Sequence, residues 1–229
     1  MQPIFISSTF RDMNAERDLF HQRIGPALDS IAREYGESIS FCDLRWGVDT
    51  TQLETEAGAR KVLSVCLQEI DRCRPFMVVL LGERYGWIPS EALIADTVEN
   101  RRGFALDELE KSVTALEIEY GALQREDRKE RVLFYFREMT GDAPEEYQKE
   151  DDEHQEKLRR LKERILAFTG GNVKSYTVSW DAEKEELLGM EAFADLVVSD
   201  VHSMMKEEWQ EYAALTPYQK DQRLQWELV

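Results

Sequence analysis

Six consecutive apolar residues, Phe76 to Leu81 (FMVVLL), constrain this chain more than any other feature. A run of that length without a polar break marks a central strand covered on both faces. Gly82-Glu83-Arg84-Tyr85-Gly86-Trp87-Ile88-Pro89 closes it with a loop rich in glycine and aromatics. Further strands are predicted at Ile4–Ile6, Ser38–Cys42, Arg131–Phe136 and Val173–Trp180, each followed or preceded by helical periodicity. Helices are predicted over Met13–Tyr35, Thr55–Cys73, Leu106–Arg125, Gln155–Phe168 and Gly189–Tyr212. Their apolar stripes include Phe20, Ile24, Ala27, Leu28 and Ile31 in the first, and Phe193, Leu196, Val197, Val201 and Met204 in the last. Ser90–Gly103 has little periodicity and reads as a long insertion or lid. Strands alternating with helices predict an α/β layered domain around a central, mostly parallel, five-stranded sheet. That domain spans 1–212, with a charged, solvated excursion at 142–155. Residues 213–229 are polar and read as a linker into a following domain.

Three strands of such a sheet end in loops that carry hydroxyls, charges and aromatics, and in a parallel sheet those ends share one edge. The first loop is Ser7-Ser8-Thr9-Phe10-Arg11-Asp12, between a buried strand and a helix. Small hydroxyl residues at that junction suit an anionic ligand, although Ser8 or Thr9 serving only as a helix N-cap is the plainer alternative. The second is Asp43-Leu44-Arg45-Trp46-Gly47-Val48-Asp49, and the third begins at Gly82. Arg11, Arg45 and Arg84 suit phosphates, and Phe10, Trp46, Tyr85 and Trp87 suit stacking on a base. Each also has a structural alternative, packing for the tryptophans and ion pairing for the arginines. Within the Leu106–Arg125 helix, Leu109, Val113, Leu116, Tyr120 and Leu123 make the stripe. At ~100° per residue, Glu117 and Glu119 lie on opposite flanks of it, so periodicity does not decide which faces a cleft. A fixed carboxylate beside aromatics and arginines suits N-glycosidic cleavage, where oxocarbenium-like charge develops on the sugar.

Composition removes several classes. The 229 residues carry 29 Lys+Arg against 46 Asp+Glu, a net charge of −17, which disfavours direct nucleic-acid and membrane-surface binding. No run approaches the ~18 apolar residues of a membrane span. Cys42, Cys66 and Cys73 have neither CxxC spacing nor nearby histidines and read as reduced thiols of a cytoplasmic protein. His21, His154 and His202 form no HExxH-type pair, so no metal or cofactor is expected, nor a nucleophilic triad. GxGxxG and GxxxxGK[ST] are both missing from the sequence.

FISSTFRDMNAERD, DLRWGVDT, VVLLGERYGWIP, SVTALEIEYGAL and VLFYFR together resemble the TIR-like N-terminal domain found ahead of NACHT and other STAND-type ATPases. The resemblance is specific from about Phe5 to Phe136 and looser beyond. It implies a flavodoxin-like or TIR-like fold, with kinship to nucleoside deoxyribosyltransferases, whose active members use a helix glutamate to cut a base from ribose. Thr114-Ala115-Leu116-Glu117-Ile118-Glu119-Tyr120 is similar to the pattern T-A-x-E-x-x-Y, which would give Glu117 the catalytic role, with Glu119 second. Substrate-binding roles would fall to Ser7, Ser8, Thr9, Phe10, Arg11, Asp43, Arg45, Trp46, Gly82 and Tyr85. The implied activity is hydrolysis of NAD, as substrate rather than cofactor, or of a related nucleotide. The implied setting is a defence or signalling protein that self-associates through a fused ATPase. Members of the family often carry an acid where this chain has Ala115, which would make an inactive variant if that acid were catalytic. The alternatives are a non-catalytic self-association or adaptor module, and a nucleotide sensor without turnover.

Overall fold

The computed structural model describes residues 2–44, 56–101 and 103–220. Its centre is the predicted apolar run, now strand β3 (Met77–Leu81), all five of whose residues are buried. Alternate side chains of β3 feed two separate cores, with Met77, Val79 and Leu81 on one side and Val78 and Leu80 on the other. The strand β1 (Gln2–Ser8) lies parallel to it, with Ile6 opposite Val78. Strands β2 (Ile39–Cys42), β4 (Val132–Thr140) and β5 (Lys174–Asp181) extend the parallel sheet, in the spatial order β2-β1-β3-β4-β5. A sixth strand, β6 (Glu186–Leu188), adds to the edge antiparallel to β5 and corrects the predicted five. Three residues of it give too short an alternation to stand out in the sequence.

Helices cover both faces. On one lie α3 (Glu56–Arg72), α4 (Glu91–Glu99), α5 (Val113–Ile118) and α6 (Asp152–Thr169). The other face carries α1 (Asn14–Leu19), α2 (Gly25–Glu34) and α7 (Met190–Ala214). α1 and α2 are one rod, widened to π-helical bonding over Phe20–Ile24. None of the described helices is long and apolar enough to cross a membrane.

Three predicted segments differ. Ser90–Gly103 is no lid: α4 occupies it and buries Leu93 and Ile94 in the core. The helix expected from Leu106 starts instead at Val113, where the Ser112 hydroxyl caps it by accepting from the Ala115 amide at 3.2 Å. Ser112 is an N-cap signal in the sequence, whereas the acids Asp107, Glu108 and Glu110 lie before the cap and outside the helix. The 142–155 excursion is also less solvated than expected, because Tyr147 is buried, its ring 5.6 Å from Trp180.

Candidate functional site

The site lies where the winding of the chain about the sheet reverses. β1 leads into α1 on one face, while β3 leads to α4 and α5 on the other, so the chain parts at the carboxyl ends of these neighbouring strands. Open α/β sheets form ligand crevices at such points. Here the crevice is a cavity of about 600 Å³ lined on one side by Ser8, Thr9, Phe10 and Arg11. Gly86, Trp87 and Ile88 line the β3 side, and Thr114 and Glu117 of α5 form its floor. Trp87 is 40% exposed, so an indole face is open to solvent at the mouth.

Glu117 is buried, and its Oε2 accepts a 2.6 Å hydrogen bond from the Ser7 hydroxyl at the end of β1. Burial pushes its carboxyl up to about 7, against the pull of the Ser7 and Cys66 hydrogen bonds and the charge of Arg17. The group is thus half ionised near neutrality at the wall of a cavity, a combination common in functional sites. Glu119 points elsewhere. Its two oxygens pair with the Arg164 guanidinium of α6, one of them at 3.0 Å, and Lys111 stands 3.4 Å away. Ala115 shares Glu119's side and lines a separate cavity with it, so an acid at 115 would not face the crevice.

Ser8 and Thr9 do not cap a helix. α1 begins after Met13 with no side-chain cap, and the Thr9 hydroxyl donates to Asp12. Ser8 Oγ donates to the Thr9 carbonyl at 3.2 Å and accepts from Arg17 Nε at 2.8 Å. Arg17, which belongs to none of the three loops, is the arginine that organises this turn. Fully buried, it pairs with Asp43, donates to the Ser8 carbonyl at 3.1 Å and stands 4.9 Å over the Phe10 ring. The signal for it was position: Arg17 follows buried Met13 by four and precedes Phe20 by three, inside the apolar stripe. Asp43 therefore holds the β1 loop through Arg17 and does not line the cavity. Arg45 and Trp46 lie outside the described residues. Gly82 admits no side chain, since a Cβ there would stand 2.6 Å from Arg137 Nη2 and 2.7 Å from Asp12 Oδ2. Its role is to let the buried Arg137–Asp12 pair approach the backbone. The Tyr85 ring turns toward the cavity of Glu119, leaving its amide on the crevice side.

Two features at the mouth were not anticipated. Glu150, from the segment between β4 and α6, inserts its carboxylate at the β3 loop, and His154 lines the same opening. Glu150 Oε2 accepts from the amides of Tyr85 (2.6 Å) and Gly86 (3.1 Å), while Oε1 accepts from Arg84 Nη2 at 2.9 Å. At the end of β2, the Cys42 thiol donates to Glu69 Oε2 at 3.3 Å with Cys73 alongside. These cysteines read as unrelated in sequence, and the turn from α3 into β3 brings them together.

Comparison with known proteins places the chain in context. It is 32% identical over 222 residues to telomerase protein component 1 of Mus musculus, covering 90% of this chain and 8% of that protein. It is 32% identical over 178 residues to a TPR repeat-containing protein of Dictyostelium discoideum, covering 71% of this chain and 10% of that protein. A shorter match, 36% over 87 residues, joins 36% of this chain to 5% of the human NACHT and WD repeat domain-containing protein 2. The chain therefore spans a tenth or less of the length of these relatives. No solved structure matches it. The family model described as a domain of unknown function, DUF4062, matches residues 3–186, from β1 to the first residue of β6, and the chain belongs to that family.

Proposed function

We propose that this chain is a TIR-like effector domain that cleaves the N-glycosidic bond of NAD or a related nucleotide. The observation that carries the reading is Glu117, a buried carboxyl at the floor of a cavity of about 600 Å³ whose walls include Phe10 and Trp87. The parallel strands follow the order 2-1-3-4-5, which is that of flavodoxin-like sheets, and the crevice opens at their switch point. In the proposed reaction the bond between ribose C1′ and the pyridinium nitrogen of NAD breaks. Its electron pair goes to the ring, which leaves as neutral nicotinamide. Ionised Glu117 offsets the positive charge that develops on C1′ and the ring oxygen, and water then adds at C1′, releasing a proton. Phe10 and Trp87 would stack on the base, and Arg11 and Arg84 would meet the phosphates. Glu119 drops to a structural role because Arg164 already neutralises it. The lack of an acid at Ala115 leaves the crevice carboxylate in place.

The likeness to a NACHT-containing protein supports fusion to an ATPase that brings copies together. The test is to incubate the oligomerised protein with NAD and follow nicotinamide release. Release by the wild type that Glu117→Gln reduces at least about a hundredfold is expected, the scale of losing a group that stabilises transition-state charge. No release, or release indifferent to Glu117→Gln, removes the assignment in favour of a binding or adaptor role.

A further inference from the structure

The carboxylate of Glu150 occupies a built anion site. Gly86 has a φ of +92°, and this turn aims two successive amides, those of Tyr85 and Gly86, at a single point. Consecutive N–H groups in such a turn form a nest that holds anions, and phosphate is a frequent occupant. Arg84 completes it from the side, with its side chain only 15% exposed. The site sits on the wall of the nucleotide-sized crevice, on the same opening as Phe10 and Trp87. Arg11, the other arginine at that opening, is also met by a carboxylate of the same segment, Glu145, at 3.2 Å.

The segment that supplies Glu150 runs between two anchors, the buried Tyr147 ring and Gln155, whose Nε2 donates to the Glu83 carbonyl at 2.7 Å. From Gln148 to Glu153, Gln148, Lys149, Asp151, Asp152 and Glu153 are all exposed, and Glu150 is the residue that turns inward. Withdrawing it disturbs little packing and leaves two amides and a guanidinium facing the crevice.

We infer that the Tyr85–Gly86 amides and Arg84 form a phosphate subsite of the crevice, which Glu150 fills as a stand-in until a phosphate-bearing nucleotide displaces it. This rests on reading the crevice as a nucleotide site, and it adds that the ligand carries a phosphate and must compete with the protein's own carboxylate. A ligand that binds only the Glu150-out form has its affinity reduced by the fraction of molecules in that form.

Calorimetric titration of inorganic pyrophosphate, ADP-ribose and adenosine into wild type, Glu150→Ala and Glu150→Gln tests it, with melting curves confirming that each variant is folded. Pyrophosphate and ADP-ribose should bind both variants about tenfold more tightly than wild type, a gain of about 1.4 kcal/mol. Adenosine should show no gain, and adding Arg84→Ala should abolish the gain for the phosphate ligands. Unchanged or weaker phosphate binding in both variants overturns the inference, as does an equal gain for adenosine, which would make Glu150 a steric plug alone. Pyrophosphate binding that tightens as expected while wild type releases no nicotinamide from NAD keeps the subsite and removes the glycosidase. Nicotinamide release without any phosphate gain does the reverse.

Discussion

A carboxyl raised to about 7 inside the fold, against 4.5 for an ordinary glutamate, makes stability and activity depend on pH in opposite ways. Below pH 4.5 Glu117 is protonated both in the folded chain and in the unfolded one, and it has no linkage effect. Between 4.5 and 7 the unfolded chain ionises first and binds fewer protons, so stability falls as pH rises. Above 7 the penalty is complete, and a shift of about 2.5 units amounts to about 3 kcal/mol. Glu117→Gln, which can still accept from Ser7, should therefore be about 3 kcal/mol more stable than wild type at pH 8 and nearly equal to it at pH 4. Urea unfolding at the two pH values checks this. Turnover runs the other way, since only the ionised form offsets oxocarbenium charge. The rate of nicotinamide release per unit of NAD should rise with pH and level off above about 7, and a profile flat from pH 5 to 9 would remove Glu117 from the step. The sequence placed Ser8, Thr9, Phe10 and Arg11 on one wall, and the cavity includes all four. It could not separate Glu117 from Glu119, because the partner that decides, Arg164, lies 45 residues downstream on another helix. Glu150 was equally hidden, one acid among many in an acidic stretch, singled out only by two amides 64 and 65 residues away.

At the level of elements, β4 is tied to α1 by a buried cluster beneath the β1 loop. Arg137 Nη2 donates to Asp12 Oδ2 at 2.7 Å, and Nη1 donates to Glu16 Oε1 at 3.0 Å and to the Asp12 carbonyl at 2.5 Å. The Tyr176 hydroxyl of β5 donates to Glu16 Oε1 at 2.8 Å. Burial pushes the Asp12 carboxyl up against the opposing pull of Arg137. All three charged side chains are fully buried, so removing one partner leaves charge unpaired in a dry interior. Arg137→Ala should cost about 3–5 kcal/mol in urea unfolding, several times the ~1 kcal/mol ceiling typical of exposed pairs. The cluster also explains why elements were easier to place than their joins. β3 announced itself by six apolar residues, and α3 by Val62, Leu63, Cys66, Leu67 and Ile70, all buried as the stripe requires. By contrast, α5 is buried on every side from Ser112 to Ala122, with Glu117 and Glu119 among those residues, and a helix without a polar face carries no amphipathic signal for its start.

The whole molecule is a sheet between two helical layers, and the second layer depends on its last helix. α7 buries Phe193, Ala194, Val197, Val201, Met205 and Trp209 against the strands and α2. Phe193 stacks on Tyr176 at 4.2 Å between ring centroids and meets Phe20 and Tyr135 edge-on. Yet the family match ends at residue 186, before this helix begins. Residue 186 is therefore where the family model stops and not where the packed unit ends. Burying the five larger side chains of α7 contributes roughly 1.5–3 kcal/mol each as an upper estimate. The sum is of the order of the 5–15 kcal/mol that separates a typical domain from its unfolded chain. Removal would also bare Val78, Leu80, Tyr135 and Tyr176 on one face of the sheet, a contiguous apolar surface of the kind that drives aggregation. A chain truncated after Gly189 should lose the single cooperative urea transition expected of the intact chain and should bind a hydrophobic dye in buffer. Of the elements that build the crevice, α5 packs in the α3–α6 core, whereas β1 and β3 also place Ile4, Ile6, Val78 and Leu80 in the core that α7 closes. Retention of a sharp transition by the truncated chain would show that α1, α2 and the α3–α6 face hold the sheet without α7, and that α7 is an addition to a fold already complete where the family model stops.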